Sequence, residues 1–311
     1  MSAALENTWK YHKRWSVAAD KIKASISRWR LFVVLFTVLG AVVETIASQF
    51  TTWSNMVWIS QVLAILGAVL LGLATFVGRQ KLTSLRQHQW LRARSLSEGL
   101  KKEIYFYLTS LPPYIGNDAD QILLDRTNKL CDLGKDLEGE LAGIPDPVEQ
   151  PPAFPMDMDH YIKERIDDQI HCFYRLRADQ LGRKLRIIRN LEFSMGVLAV
   201  FLSALGTIYT TITTPWVAVC TSIVIALASH AAANRLEYLV ISYLKTARRL
   251  EYFKARWESE KQPNEEKRRA FIQDCEDVIS YENQGWMAEF DQTERDQREI
   301  GNHDICLKNS P

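Results

Sequence analysis

Four stretches of the chain are apolar almost throughout, and they fall in two pairs: 31–50 with 57–77, and 193–212 with 216–233. Each is close to the ~20 residues a helix needs to cross the hydrocarbon core of a bilayer. Within each pair the connection is short and carries no charge, Gln49–Met56 with Trp53 in the first and Thr213–Pro215 in the second. The pattern therefore predicts two tight transmembrane hairpins.

Outside these stretches the apolar residues become periodic. Leu5, Trp9, His12, Trp15, Ala19, Ile22, Ile26 and Trp29 recur at steps of three and four, the helical period, and predict an amphipathic helix over 5–30 that leads into the first span. Beyond Gly78 the same alternation predicts one long helix over Gln80–Leu111, ended by Pro112-Pro113. A further helix is expected over Asp118–Leu141. Five prolines between Leu141 and Pro155 then read as a stiff linker. The second half repeats the plan: a charged helix over Met158–Asn190, the second hairpin, and a charged helix from Asn234 to about Lys261. A last helix is expected over Asn264–Phe290, before a polar tail expected to be disordered.

The fold class is thus an all-α membrane protein, with four transmembrane helices as two hairpins repeated in parallel and long amphipathic cytoplasmic helices beside them. The expected organisation is a first repeat over 1–140, the linker at 141–155, a second repeat over 156–290 and the tail at 291–311.

Charge sets the expected orientation. Lys21, Lys23 and Arg30 precede the first hairpin and Arg79, Lys81 and Arg86 follow it; Arg183 to Arg189 and Arg235 to Arg249 flank the second in the same way. By the positive-inside rule both hairpins start and finish in the cytoplasm, giving a multi-pass protein of the cell membrane with both termini cytoplasmic. No apolar core and cleavage site of a signal peptide is found in 1–30, so the first span is expected to act as a signal anchor. A net charge of +1 argues against a nucleic-acid partner. The five cysteines form no CxxC and no zinc spacing. No phosphate loop, dinucleotide glycine motif, HExxH or GxSxG occurs, so neither an enzyme nor a cofactor nor a metal is expected.

Candidate function lies in the spans themselves. Small and polar residues recur along each: Thr37, Ala41, Glu44 and Ser48; Gln61, Ala64, Ala68, Gly72 and Thr75; Gly196, Ala199, Ser203, Thr207 and Thr210; Ser222, Ala226, Ser229 and Ala233. Such stripes serve as helix packing seams, or they line an aqueous path. As pore-lining candidates the sequence offers Thr37, Glu44, Ser48, Gln61, Thr75, Ser203, Thr207, Thr210 and, near the inner end of the fourth span, His230. Glu44 costs ~2.5–3.5 kcal/mol at a bilayer centre, and as the acidic group of a pore it would favour cations.

The helix, tight hairpin and following aromatic-basic helix, carried by Trp15–Arg30, Leu31–Gly78 and Arg79–Tyr107 and again by Tyr161–Trp257, resemble the SLATT family (SMODS and SLOG-associating two-transmembrane effector domain), in two tandem copies. The resemblance implies a pore-forming or membrane-perturbing effector of the kind linked to nucleotide-sensing defence systems. Two functions follow as expectations. One is a homo-oligomeric channel gated by its cytoplasmic helices, with the lipid bilayer, ions and a cytoplasmic regulatory partner as its associates. The alternative is a membrane-anchored helical scaffold or effector subunit that does not conduct. A transporter is disfavoured by the parallel sense of the repeats.

Overall fold

The computed structural model describes residues 2–53, 57–262 and 264–280. All regular structure among them is helical. Helix α1 (Ala3–Trp53) carries the amphipathic segment and the first span without a break. Helix α2 (Val57–Lys81) returns, α3 (Ser84–Leu108) and α4 (Ala119–Asp132) follow, and a 3-10 turn occupies Lys135–Leu141. Helix α5 (Met158–Leu205) is one continuous rod, π-helical over Ile162–Arg175. Helices α6 (Thr210–Ala233), α7 (Leu236–Glu258) and α8 (265–280) complete the chain.

Four of these helices hold a stretch long and apolar enough to cross a membrane, on α1, α2, α5 and the α6–α7 segment. Their surfaces carry exposed Leu39, Val62, Ile65, Phe193, Val200 and Ile225. Apolar groups left outside a protein core at this density are the mark of a lipid-facing surface.

Three sequence expectations shift in register. The predicted helix over 80–111 is broken at Leu82–Thr83, where the Thr83 hydroxyl accepts from the Arg86 amide (3.4 Å) and caps α3. The predicted turn of the second hairpin at Thr213–Pro215 lies inside α6; the actual turn is Gly206–Tyr209, and the third span stops at Leu205. In the first hairpin α1 runs on through Trp53, so helix replaces much of the expected turn, and residues 54–56 lie outside the described residues. The helix expected over 264–290 is present to residue 280; the remainder and the tail also lie outside.

The chain divides into two compact units, each drawing on both halves of the sequence. One takes in the described residues of 1–22, 88–174 and 245–280, the other 23–87 and 175–244.

The first unit is a helical bundle with a packed core. Leu5, Trp15, Ile22, Leu100, Ile104, Leu108, Leu123 and Ile166 are fully buried, each such side chain contributing about 1.5–3 kcal/mol relative to exposure. The α1 positions among them fall at the spacing that the sequence pattern predicts. The proline-rich segment packs against the bundle: Trp9 Nε1 donates to the Glu149 carbonyl (2.9 Å), Lys10 pairs with Asp146 (2.5 Å), Lys13 pairs with Glu149, and the Met156 amide donates to the Leu108 carbonyl (2.9 Å). A proline-rich segment cannot supply its own ladder of bonds; here Trp9 meets one of its carbonyls, the two lysines meet its carboxylates and its Met156 amide is taken up by α3.

Candidate functional site

The second unit contains the spans. Helices α1 and α2 meet along small residues seven apart: Gly40 and Ala47 on one, buried Ser60, Gly67 and Ala74 on the other. A seven-residue repeat keeps one seam facing the partner helix over several turns. The seam is close. A methyl group placed on Gly40 would lie 2.8 Å from Leu71, and one on Gly67 would lie 2.7 Å from Glu44. Ser60 Oγ donates across it to the Ala47 carbonyl (2.8 Å).

The gap left by Gly67 receives Glu44. That carboxylate stands 13 residues past Leu31 in a single helix, or about 20 Å along its axis at 1.5 Å per residue, against a core of about 30 Å.

A second polar link joins α1 to α6. Pro215 has no amide hydrogen, so the Thr211 carbonyl four residues earlier lacks its helical donor. Gln49 is buried and its Nε2 donates to that carbonyl at 3.2 Å and to Ile212 at 3.5 Å. At the opposite end Arg30 Nη1 donates to Asn234 Oδ1 (2.9 Å), and Asn234 Nδ2 donates to the His230 carbonyl (2.8 Å).

The pore-lining candidates distribute differently from one another. Thr37 and Glu44 are half-buried, Ser48, Gln61, Thr75, Ser203, Thr207 and Thr210 are exposed, and His230 is half-buried with Nδ1 enclosed and without a hydrogen-bond partner. Five hydroxyls are satisfied by their own helix or turn: Thr37 on Val33 (2.9 Å), Ser48 on Thr45 (2.7 Å), Thr75 on Leu71 (3.1 Å), Thr207 on Ala204 (2.9 Å) and Thr210 on Gly206 (2.7 Å). A hydroxyl that donates this way leaves no unpaired donor in lipid. On α2 the Gln61–Thr75 stripe is mostly turned outward, with Ala68 and Gly72 exposed, and the buried face is the Ser60–Gly67–Ala74 line. Both lines are spaced as helix faces, and only the neighbouring helix selects between them.

The first unit holds a buried ionic cluster that composition and spacing do not reveal. Arg165 and Glu276 are both fully enclosed. Arg165 Nε and Nη2 donate to the two carboxylate oxygens at 2.8 and 2.7 Å, Tyr161 OH donates to Glu276 at 3.1 Å, and the guanidinium lies 4.7 Å above the Tyr105 ring. Burial works against the Arg165 charge, but Glu276 outweighs it and holds the guanidinium well above its ordinary pKa. Burial raises the Tyr105 hydroxyl to about 12.

The cluster continues along α3. Burial pushes the Glu98 carboxyl up, but the cations Arg94, Lys101 and Arg165 together bring it to about 2. Lys101 is lowered to about 8 by burial, then by Arg165. His12 is 5% exposed and is lowered to about 4 by burial, with Lys101 adding to it. Its Nδ1 lies 2.9 Å from the Ser97 carbonyl, the arrangement of a neutral imidazole donating to a backbone oxygen.

Residues 161–286 match the family described as SMODS and SLOG-associating 2TM effector domain 1. That SLATT segment takes in the second pair of apolar helices, together with Arg165 and Glu276. Residues 13–121, with the first pair of apolar helices, match a protein family of unknown function (DUF4231). No curated protein and no solved structure matches the chain. The chain is therefore a membrane protein with a segment similar to a two-transmembrane effector domain, and its ionic cluster joins Arg165 and Glu276 of the SLATT segment to Glu98, Lys101 and Tyr105 of the other matched segment.

Proposed function

We propose that the chain is the membrane effector of a defence system and acts as a homo-oligomeric channel, with both halves built as SLATT-type repeats. Cations pass through a path lined by one hairpin of each copy, and the bundle of helices on the cytoplasmic side, where both termini lie, gates it in response to a regulatory partner. Catalysis and nucleic-acid binding have no part in it.

Glu44 carries the reading. A carboxylate two-thirds of the way across the apolar layer is expensive in lipid and has value where it meets ions or water, and its place opposite a glycine leaves it room to turn from the seam toward a neighbouring copy. Four helices are few to enclose a conduit, whereas copies related by a closed rotation can form one. The likeness of residues 161–286 to a two-transmembrane effector domain supports an output at the membrane.

The experiment is ion flux from liposomes containing the purified full chain, with Glu44→Gln in parallel. The channel reading expects wild-type flux and a changed cation preference in the variant; an assembled, folded protein that passes no ions defeats it. A second reading, a non-conducting scaffold, is favoured by the hydroxyls that bond within their own helices. It expects no flux and full tolerance of Glu44→Leu.

A further inference from the structure

At one end of the spans the charges do not balance. Arg30 on α1 directly precedes Leu31, the first apolar residue of its span, and Asn234 directly follows Ala233, the last residue of α6. Arg30 Nη1 donates to Asn234 Oδ1 (2.9 Å), and the Asn234 Nδ2 is taken by the His230 carbonyl one turn back (2.8 Å). All three residues belong to the unit that contains the spans. A basic side chain at this level ordinarily stretches its head out into water. Arg30 is instead held against Asn234 and half-buried.

No opposite charge comes with that burial. Burial draws the Arg30 guanidinium below its ordinary pKa, and no carboxylate opposes the shift. The charged groups that face His230 are cations as well, Lys184 of α5 and Arg30 itself. The hairpin explains the meeting. Helices α5 and α6 pack together about the turn at 206–209. Lys184 stands 22 residues before Gly206 and Ala231 stands 22 after Tyr209, so two antiparallel helices of equal rise set Lys184 level with His230. Lys184 is exposed and makes no ion pair among the described residues. The carboxylate nearest to Asn234 in sequence, Glu237, is taken by Arg189 (2.9 Å). His230, with Nδ1 enclosed, offers no negative charge in either protonation state.

A half-buried guanidinium without a counter-charge is unfavourable, and its planar fork matches the oxygens of a phosphate. Where the hydrocarbon core ends, the phosphates at hand are those of the lipid headgroups. We propose that Arg30, held in place by Asn234, and Lys184 form a binding site for the phosphate of an anionic phospholipid. Two cations already exceed the single charge of a phosphate diester. A headgroup that carries its own ammonium, as in phosphatidylcholine, adds a third positive charge and is disfavoured, whereas basic pockets between transmembrane helices suit anionic headgroups. The site does not depend on conduction.

The test titrates the full chain, stripped of lipid in dodecyl maltoside, with dioleoylphosphatidylglycerol and counts retained lipid by native mass spectrometry. Each copy should retain one phosphatidylglycerol, and dioleoylphosphatidylcholine should bind about tenfold more weakly. Arg30→Gln, whose amide can still donate to Asn234, and Lys184→Gln should each lower the affinity for phosphatidylglycerol about fivefold. Arg79→Gln removes an exposed cation from the end of α2 that is not among those facing His230, and should leave it unchanged. Lys184→Gln, at an exposed and unpaired residue, keeps the test decisive should Arg30→Gln fail to fold. Equal retention of the two lipids overturns the proposal. So does a loss in Arg79→Gln as large as that in Lys184→Gln, which would mark diffuse attraction to a basic surface. Inorganic phosphate should leave the bound lipid in place; displacement would assign the cations to a soluble anion and overturn the lipid site.

Discussion

Acid should weaken the bundle through one residue, His12. Its imidazole is enclosed beside Lys101 and Lys13 and is held neutral down to about pH 4, whereas in the unfolded chain it titrates near 6.5. Between these values the unfolded state binds more protons than the folded one, so stability is complete above pH 6.5 and falls as the pH drops toward 4. Two and a half pKa units at 1.36 kcal/mol each give about 3 kcal/mol. The comparison is with His12→Asn, whose amide nitrogen can take the place of Nδ1 and donate to the Ser97 carbonyl but does not titrate. Urea denaturation of both proteins in detergent is followed by the fluorescence of the bundle tryptophans, since Trp15 is 1% exposed and the Trp9 ring lies 5.3 Å from His12. The difference between the two stability curves isolates the histidine. It should slope by the full amount between pH 6.5 and 4 and be flat above 7. Glu98 falls in another window, because a carboxyl lowered to about 2 keeps its contribution above about pH 4.5 and loses it only as the pH falls further. A flat difference curve across pH 4–6.5, or one that favours the wild type in acid, would refute the argument that burial keeps His12 uncharged.

Two further outcomes follow from the span geometry. Gly67→Val should cost about 1–3 kcal/mol by overpacking the seam against Glu44, while Gly72→Val on the same helix, with nothing within 4 Å, should stay within about 0.5 kcal/mol; thermal melts in one detergent compare them, and equal effects would mean that the seam lies elsewhere. Gln49→Leu should cost about 1 kcal/mol in the wild type and much less in a Pro215→Ala background, where an amide at 215 can supply the Thr211 carbonyl; a double-mutant cycle reads the coupling, and additive effects would show that the glutamine does not serve that carbonyl.

The sequence by itself determined that there are four spans, that the leading helix is amphipathic and where the bundle helices broadly run. These follow from composition and period, which act locally: about 20 apolar residues favour lipid, and a three- and four-residue step makes one helix face, as Leu5, Trp15 and Ile22 illustrate. Pro215 misled the placement of the second turn because its missing donor is made good by Gln49, a residue 162 positions away on the far side of the chain. The α2 stripe was ambiguous for a similar reason, since Gln61–Thr75 and Ser60–Ala74 are both sound helix faces until α1 lies against one of them.

Only the tertiary structure decided what holds the bundle's charges. Arg165 and Glu276 are 111 residues apart and look like two ordinary surface ions in a charged stretch. Burial removes them from water, and an enclosed charge must find its partner wherever the fold brings one. A local period sets what a helix prefers, whereas the packed neighbours set which of its faces can be buried.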